Sequence, residues 1–88
     1  MLIEFDPAKN KSNLDKHGVP LSDAQFFKWE TAIFREDARK PYAEQRWVAT
    51  GYVGARLHVL VYCLRGQALR PISLRKANRR EEYRYAKT

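Results

Sequence analysis

One stretch of this chain constrains the fold more than any other, because it is apolar on both of its sides. Between Arg56 and Leu64, both alternating sets of residues are largely apolar, and His58 is the main exception. Successive side chains of a β-strand point to opposite faces of the sheet, so a strand of this kind needs cover on much of both sides. The pattern predicts a central strand, and Gly54-Ala55 is the tight turn that leads into it.

The residues around this strand predict an antiparallel sheet. A strand is expected before the turn, another after a second turn at residues 65–67, and two shorter β-prone segments nearer the N-terminus. In chain order the predicted strands are Leu2–Phe5, Thr31–Arg35, Arg46–Val53, Arg56–Leu64 and Leu69–Arg75. Pro71 lacks a backbone donor, which predicts an edge or an irregularity in the last strand.

The first helix has clear start and stop signals. Asp6 can accept hydrogen bonds from the first free N–H groups, and Pro7 fits the first helical position. Lys16 and His17 are cations suited to a helix C-terminus, and Gly18 supplies the left-handed stop. Most residues between these signals are polar, so we expect this helix at the edge of the domain.

Two more helices are predicted. One covers residues 21–29, where Ser22 followed by Gln25 resembles a capping box. The other begins at Asn78, and Glu81 completes the same pattern there. The predicted order of elements is β-α-α-β-β-β-β-α, which is an α+β fold with all 88 residues in a single domain.

Positive charge is concentrated in the second half of the chain. Residues 1–45 carry seven Lys or Arg against eight Asp or Glu, whereas residues 46–88 carry ten against two. Eight of those ten cations are arginines, whose planar guanidinium forks onto phosphate oxygens and stacks on bases. This asymmetry predicts a nucleic acid or an acidic protein as the partner.

Several other classes of protein are not expected from this sequence. It has no stretch of about 18 apolar residues that would span a membrane, and its N-terminus has no signal-peptide pattern. Cys63 is the only cysteine and cannot form an internal disulfide, so we expect the cytoplasm as the compartment. His17, His58 and Cys63 show no metal-ligand spacing, so no metal or other cofactor is expected.

Cations on the last strand and at the entry to the last helix form the main candidate site. If Ile72 and Leu74 face the core, then Ser73 and Arg75 are presented together on the open face. The group comprises Arg70, Ser73, Arg75, Lys76, Arg79 and Arg80, joined by Arg46 and Arg65 from neighbouring strands. Fixed cations of this kind can hold a phosphodiester and stabilise its transition state without a metal. The charge pattern fits a ribonuclease and a passive RNA-binding sheet equally well.

Segments along nearly the whole chain carry a family resemblance. They are Phe5-Asp6-Pro7-Ala8-Lys9, Asn13, Lys16-His17-Gly18, Glu44-Gln45-Arg46, Val61-Tyr62 with Arg65, Arg70 to Ala77, and Arg80-Glu81 before Tyr83. Together and in this order they resemble the BrnT toxins of bacterial type II toxin–antitoxin pairs. The resemblance implies a RelE-like fold, a ribonuclease that arrests growth by cutting RNA, and a small BrnA-type antitoxin that neutralises it. It also implies that the complex binds its operator DNA through the antitoxin.

These implications suggest roles for a metal-independent endoribonuclease. Arg75 and Lys76 are the first candidates for phosphate contact and charge stabilisation, and Arg46 and Arg65 are the second. An arginine at a strand end often only pairs with a carboxylate such as Glu44. Further RNA contacts are predicted for Lys9, Arg65, Arg70, Ser73, Arg79, Arg80 and Tyr83.

Proton transfer is predicted for Glu44 or His17, and each of them has a plainer alternative role. Glu44 can simply pair with an arginine, and His17 can cap its helix. Lys9, Asn13 and His17 fall on one line of the first helix, either as an RNA-facing ridge or, as we favour, with Asn13 tying the helix to the sheet. Tyr83 either stacks on a base or packs its helix onto the sheet.

Two rival functions use the same basic residues. One is a nucleic-acid-binding module without catalysis, and the other is a basic surface that serves only to dock an acidic antitoxin. Cleavage of RNA separates the enzyme from the first rival. A steep fall of RNA affinity with salt separates it from the second.

Overall fold

A five-stranded sheet organises the fold in the computed structural model, which describes residues 2–88. The strands are β1 (Leu2–Ile3), β2 (Phe27–Glu36), β3 (Trp47–Val53), β4 (Arg56–Arg65) and β5 (Ala68–Lys76), and their spatial order is β1-β5-β4-β3-β2. The helices are α1 (Pro7–His17), a 3₁₀ helix (Leu21–Phe26) and α2 (Arg79–Ala86). The α+β class and the three long antiparallel strands after residue 46 are confirmed.

The central position predicted for β4 is also confirmed. This strand lies between β3 and β5 and is buried on both faces over most of its length. One face, which we call the core face, contains the fully buried Leu60 and Leu74 and is covered by the 3₁₀ helix and the chain before it. The other, which we call the α2 face, buries Leu57 and Val59 and packs against Tyr85 of α2.

The signals that bound α1 act as predicted. The Asp6 side chain accepts a hydrogen bond from the Ala8 N–H at 2.8 Å, and Gly18 ends the helix with a left-handed φ of 74°. Asn13 is buried and does tie α1 to the sheet. Its amide donates to the carbonyls of Val19 and Leu74 at 2.6 and 2.8 Å and accepts from the Leu74 N–H at 3.3 Å. The interpretation that we favoured for Asn13 is therefore confirmed.

The second predicted helix is wrong. Only a short 3₁₀ helix forms, it begins after Pro20 without a side-chain cap, and the chain enters β2 at Phe27. Aromatic and β-branched residues fit a pleated strand better than a helix. Trp29 stacks edge-on between Phe27 and Tyr62, with ring centroids 4.8 and 5.3 Å away. Packing across the sheet therefore overrides the capping-box pattern.

Two details of the sheet also differ from the prediction. β1 has only two residues and pairs with β5 in parallel, so the sheet is not wholly antiparallel. In β5, Ser73 lies opposite Val61 but Pro71 lies opposite Tyr62, which leaves Ile72 unpaired in a bulge. The irregularity expected at Pro71 is thus confirmed, because proline cannot donate to the ladder.

α2 is capped as predicted and is anchored over the sheet. Asn78 and Glu81 form a complete capping box, with both hydrogen bonds at 2.9 Å. The Tyr85 hydroxyl donates to the carbonyl of Thr31, and its ring meets that of Tyr52 edge-on at 5.7 Å. These contacts hold the helix above β2 and β3. Within residues 2–88, no helix has the length and apolar character needed to cross a membrane.

Candidate functional site

A cavity of about 190 Å³ lies between α2 and the α2 face of the sheet. Four arginines and one carboxylate line its walls, and we call it the cation pocket; they are Arg35, Arg39, Arg75, Glu81 and Arg84. Uncharged side chains of the sheet and of α2 form the rest of its lining; they are Ile33, Val48, Thr50, Val59, Val61 and Tyr85. Strand register explains the convergence, because Arg35 is opposite Val48 and Arg75 is opposite Val59.

Arg75 is held in the pocket by the first turn of α2. Its two terminal nitrogens donate to the two carboxylate oxygens of Glu81, each at 2.7 Å. Glu81 also accepts the N–H of Asn78, so a single carboxylate caps the helix and fixes the guanidinium. The Arg75 hydrogen bond lowers the pKa of Glu81, although partial burial opposes this, and Glu81 in turn raises the pKa of Arg75. Both groups are therefore charged at neutral pH.

Arg39 is held from the opposite side by a buried carboxylate. The Asp37 side chain is fully buried and accepts the Nε and one terminal nitrogen of Arg39, both at 2.8 Å. The hydrogen bond from Arg39 lowers the pKa of Asp37 from 3.8 to about 2, against the opposing effect of burial. The loop after β2 thereby presents a fixed cation at the pocket wall.

The remaining two arginines of the pocket are not neutralised. Among residues 2–88, neither Arg35 nor Arg84 forms an ion pair with a carboxylate. The pocket therefore combines two paired guanidiniums with two unpaired ones around a small volume. Such an arrangement favours an anion with several oxygens, such as a phosphodiester.

The cation group predicted from the sequence is only partly brought together. Arg75 lines the pocket and Ser73 lies on the same face, opposite Val61. Lys76 is exposed, and its register partner in β4 is His58. Because Lys76 directly follows Arg75 in the strand, its side chain points to the opposite face, the core face. Arg79 and Arg80 are exposed on the first turn of α2, and Tyr83 is 64% exposed, with the Lys87 ammonium 4.8 Å from its ring.

A second group of predicted residues lies at the hairpin between β4 and β5. Arg65 donates to both oxygens of Glu44, at 2.6 and 3.1 Å, and Arg70 is opposite Cys63. Arg65 lies six positions along β4 from Val59, the partner of Arg75, which is about 20 Å of strand. The hydrogen bond from Arg65 lowers the pKa of Glu44, which makes that carboxylate a weaker base. The ion pair that we weighed as the alternative for Glu44 is therefore present.

The other predicted residues lie outside the pocket. Arg46 precedes β3, and its guanidinium carbon is 4.0 Å from the centre of the Tyr42 ring. Lys9 and His17 are on α1, and neither is among the residues that line the pocket. His58 is buried and its Nδ1 lies 2.8 Å from the Arg56 carbonyl, as expected of an interior histidine with a satisfied ring nitrogen. In the described part of the chain, no three His, Cys, Asp or Glu side chains gather as metal ligands.

Sequence reasoning missed four of the five charged residues of the pocket. Arg84 is three residues from Glu81 on a helix, a spacing that places both on one side. Arg35 is two residues after Ile33 in the predicted strand Thr31–Arg35, so the two side chains share one face of that strand. Only Arg39, in an irregular loop, had no signal beyond its charge.

Comparison with protein families identifies the family to which the chain is similar. A family model described as the ribonuclease toxin BrnT of type II toxin–antitoxin systems matches residues 5–81. This range covers every element from α1 to the first turn of α2, including all the charged residues of the pocket except Arg84. No curated protein matches the chain.

Proposed function

The chain belongs to the family of BrnT ribonuclease toxins of type II toxin–antitoxin systems, and we propose that the cation pocket is where it cuts RNA. The observation that supports this assignment is the convergence of four guanidiniums on one cavity of about 190 Å³. The other basic groups of the chain are not among the residues that line this cavity. A phosphodiester in the pocket would meet cations from β2, the following loop, β5 and α2 together.

The reaction we propose is an internal transfer within the RNA backbone. The 2′-oxygen attacks the adjacent phosphorus, the bond from phosphorus to the 5′-oxygen breaks, and the products carry a 2′,3′-cyclic phosphate and a 5′-hydroxyl. The proton of the 2′-hydroxyl leaves to a base and the 5′-oxygen gains one. Because the nucleophile belongs to the substrate, the protein needs only to position it, stabilise charge and move protons.

Within this reaction the arginines stabilise charge. The unpaired Arg35 and Arg84 bind the non-bridging oxygens, and Arg75 faces the extra negative charge that develops on the phosphorane. Glu81 holds Arg75 in place through two hydrogen bonds. Glu81 is also the one carboxylate lining the pocket within residues 2–88, but the hydrogen bond from Arg75 lowers its pKa and makes it a weak base, so its role is to position Arg75. Proton transfer by Glu44 or His17, and catalysis by Lys76 or Arg46, stay predictions.

Purified protein incubated with single-stranded RNA in EDTA tests the activity and its metal independence together. We expect cleavage in EDTA, and a drop of about 100-fold in rate for Arg75→Gln, which is typical of losing one donor to a developing oxyanion. Lys11→Gln is the matched control, because Lys11 is an exposed cation on α1 paired with Asp15. Bound but intact RNA would contradict the enzyme and support a nucleic-acid-binding module.

The antitoxin partner follows from the type II family, and its surface is part of the proposal. We propose that a small BrnA-type protein covers the α2 face and blocks RNA, that operator DNA is bound only through this complex, and that the cytoplasm is the compartment. RNA and antitoxin should then compete for the toxin. If both bind at once, and RNA affinity does not fall with salt, the basic residues serve docking rather than phosphate contact.

A further inference from the structure

An apolar slot adjoins the cation pocket at the outer edge of the sheet. It has a volume of about 120 Å³ and is lined by Ile33, Phe34, Arg35, Val48 and Thr50. All of these except Phe34 also line the cation pocket, so the two cavities adjoin each other. The slot is therefore a mainly apolar cavity beside a pocket lined by four arginines.

Two of the residues that line the slot are exposed although they are apolar. Ile33 is 40% exposed and Phe34 is 63% exposed, and both are on β2, which has a neighbouring strand on one side only. Single exposed apolar residues are common on protein surfaces and need no explanation. These two differ because they border a concave surface beside unpaired cations.

The dimensions of the two cavities suggest what the slot holds. Sites for drug-sized ligands are usually about 300–1,000 Å³, so a pocket of about 190 Å³ suits a phosphodiester rather than a whole nucleotide. In single-stranded RNA a base follows each phosphate at the distance of one sugar. Bases of this kind stack on apolar side chains and on arginine planes. Arg35 lines both cavities, so one guanidinium can reach the phosphate and the base.

We propose that the slot binds an unpaired nucleobase of the RNA strand whose phosphate occupies the cation pocket. This inference rests on the proposed function, because the phosphate fixes where the base falls. Ile33 provides the apolar contact, because its side chain lies on the same face as Arg35, whereas Phe34 is paired with Ala49 and faces the other way. Arg35 covers the base with its planar group. Since a paired base cannot enter, the subsite selects single-stranded RNA.

The test compares two oligonucleotides that share one backbone. One is a short single-stranded 2′-O-methyl RNA, which lacks the free 2′-hydroxyl. The other has the same length and phosphate count but abasic positions instead of bases. Affinities are measured by fluorescence anisotropy with the full chain at one fixed salt concentration, because phosphate contacts depend on salt. We expect the oligonucleotide with bases to bind about tenfold more tightly, in line with stacking of one base.

Two variants separate the base contact from the phosphate contact. Ile33→Ser should remove most of the tenfold preference and lower the affinity for the abasic strand much less, because Ile33 carries no charge that a phosphate would contact. Arg35→Lys keeps the charge but loses the planar group, so it should also lower the preference more than the abasic affinity. Phe26→Ser is the control for Ile33, because Phe26 is 59% exposed but lies in the 3₁₀ helix. Thermal unfolding of each variant checks that it is folded.

The outcomes distinguish failure of the subsite from failure of the proposed function. Equal and tight binding of both oligonucleotides overturns the base subsite and leaves the phosphate pocket intact. Binding of neither overturns both. If Ile33→Ser leaves the preference unchanged but weakens capture of the antitoxin, the slot is a protein-docking surface and the base subsite is wrong.

Discussion

The two faces of the sheet are built from the same strands but differ in what covers them. On the core face, Leu60 and Leu74 are fully buried beneath the 3₁₀ helix and the chain before it. The α2 face is covered only by a helix of eight residues, and Arg35 and Arg75 stand on it beside the buried Val59. A short helix leaves part of a face open, and here the open part is the cation pocket.

From this difference we expect stability to depend mainly on the core face and the proposed RNA cleavage to depend mainly on the α2 face. Apolar burial is the main favourable contribution to folding, and most of the fully buried side chains are on the core face. Repelling cations can then gather on the other face without entering the core. We therefore expect substitutions on the core face to change mainly the free energy of unfolding, and substitutions on the α2 face to change mainly RNA cleavage.

The largest expected effect comes from Leu74→Ala on the core face. This side chain is fully buried in the main cluster, so its truncation should lower the free energy of unfolding by about 3 kcal/mol. Urea unfolding followed by tryptophan fluorescence measures the change. Ser73→Ala is the matched control, because Ser73 is the preceding residue on the α2 face and should change stability by less than about 0.5 kcal/mol. Equal losses would mean that the two faces do not differ as described.

The next effect comes from the hydrogen bonds by which Asn13 joins α1 to β5. Asn13→Ala leaves the buried N–H and carbonyl of Leu74 without their partners, which should cost about 2 kcal/mol of unfolding free energy. RNA cleavage by the folded fraction should be unchanged, since α1 does not line the cation pocket. Ser12→Ala, at an exposed neighbouring position of the same helix, is the control. A loss of cleavage without a loss of stability would assign α1 to the site.

More of the structure around the core face than around the α2 face can be predicted from the sequence. Apolar residues on both alternating faces predict β4 as a central strand. The helix caps at Asp6, Gly18 and Asn78 are local sequence signals, and all three are present in the structure. The error at residues 21–29 arose because a local capping pattern competed with Phe27 and its packing across the sheet. Tertiary packing of this kind cannot be seen in a local pattern.

The cation pocket was harder to predict because it depends on register. Arg75 was found from alternation within one strand, but Arg35 reaches the same cavity only through the pairing of β2 with β3. That pairing shifts register between Lys28 and Ile33, and nothing in the sequence reports the shift. The position of Arg84 depends in turn on where α2 packs on the sheet. The hydrogen bond from the Tyr85 hydroxyl to the Thr31 carbonyl fixes that position.

A smaller effect is expected from the cap of α2. Asn78→Ala removes the side-chain acceptor of the Glu81 N–H, which should destabilise the helix by about 1 kcal/mol. Because α2 covers only the α2 face, hydrogen exchange should increase in α2 while the amides of β4 stay protected. Asn78→Asp preserves the acceptor and should behave like the wild type. Faster exchange throughout β4 would show that the two faces unfold as one unit.

The smallest effect is a loss of stability in acid that originates on the α2 side. The Asp37 carboxylate has a pKa of about 2 when folded, against 3.8 ordinarily, because Arg39 donates to it. A lowered folded pKa contributes stability above pH 3.8, and this contribution is lost as the pH falls toward 2. Since the Arg39 side chain is 69% exposed, solvent screening should keep the loss small. Urea unfolding between pH 4.5 and pH 2 measures it.

The variants Asp37→Asn and Arg39→Gln should each reduce the pH dependence of the free energy of unfolding in this range. The double variant should reduce it no further. An additive double variant would mean that the two side chains act separately and that the pocket wall is not held by their pair.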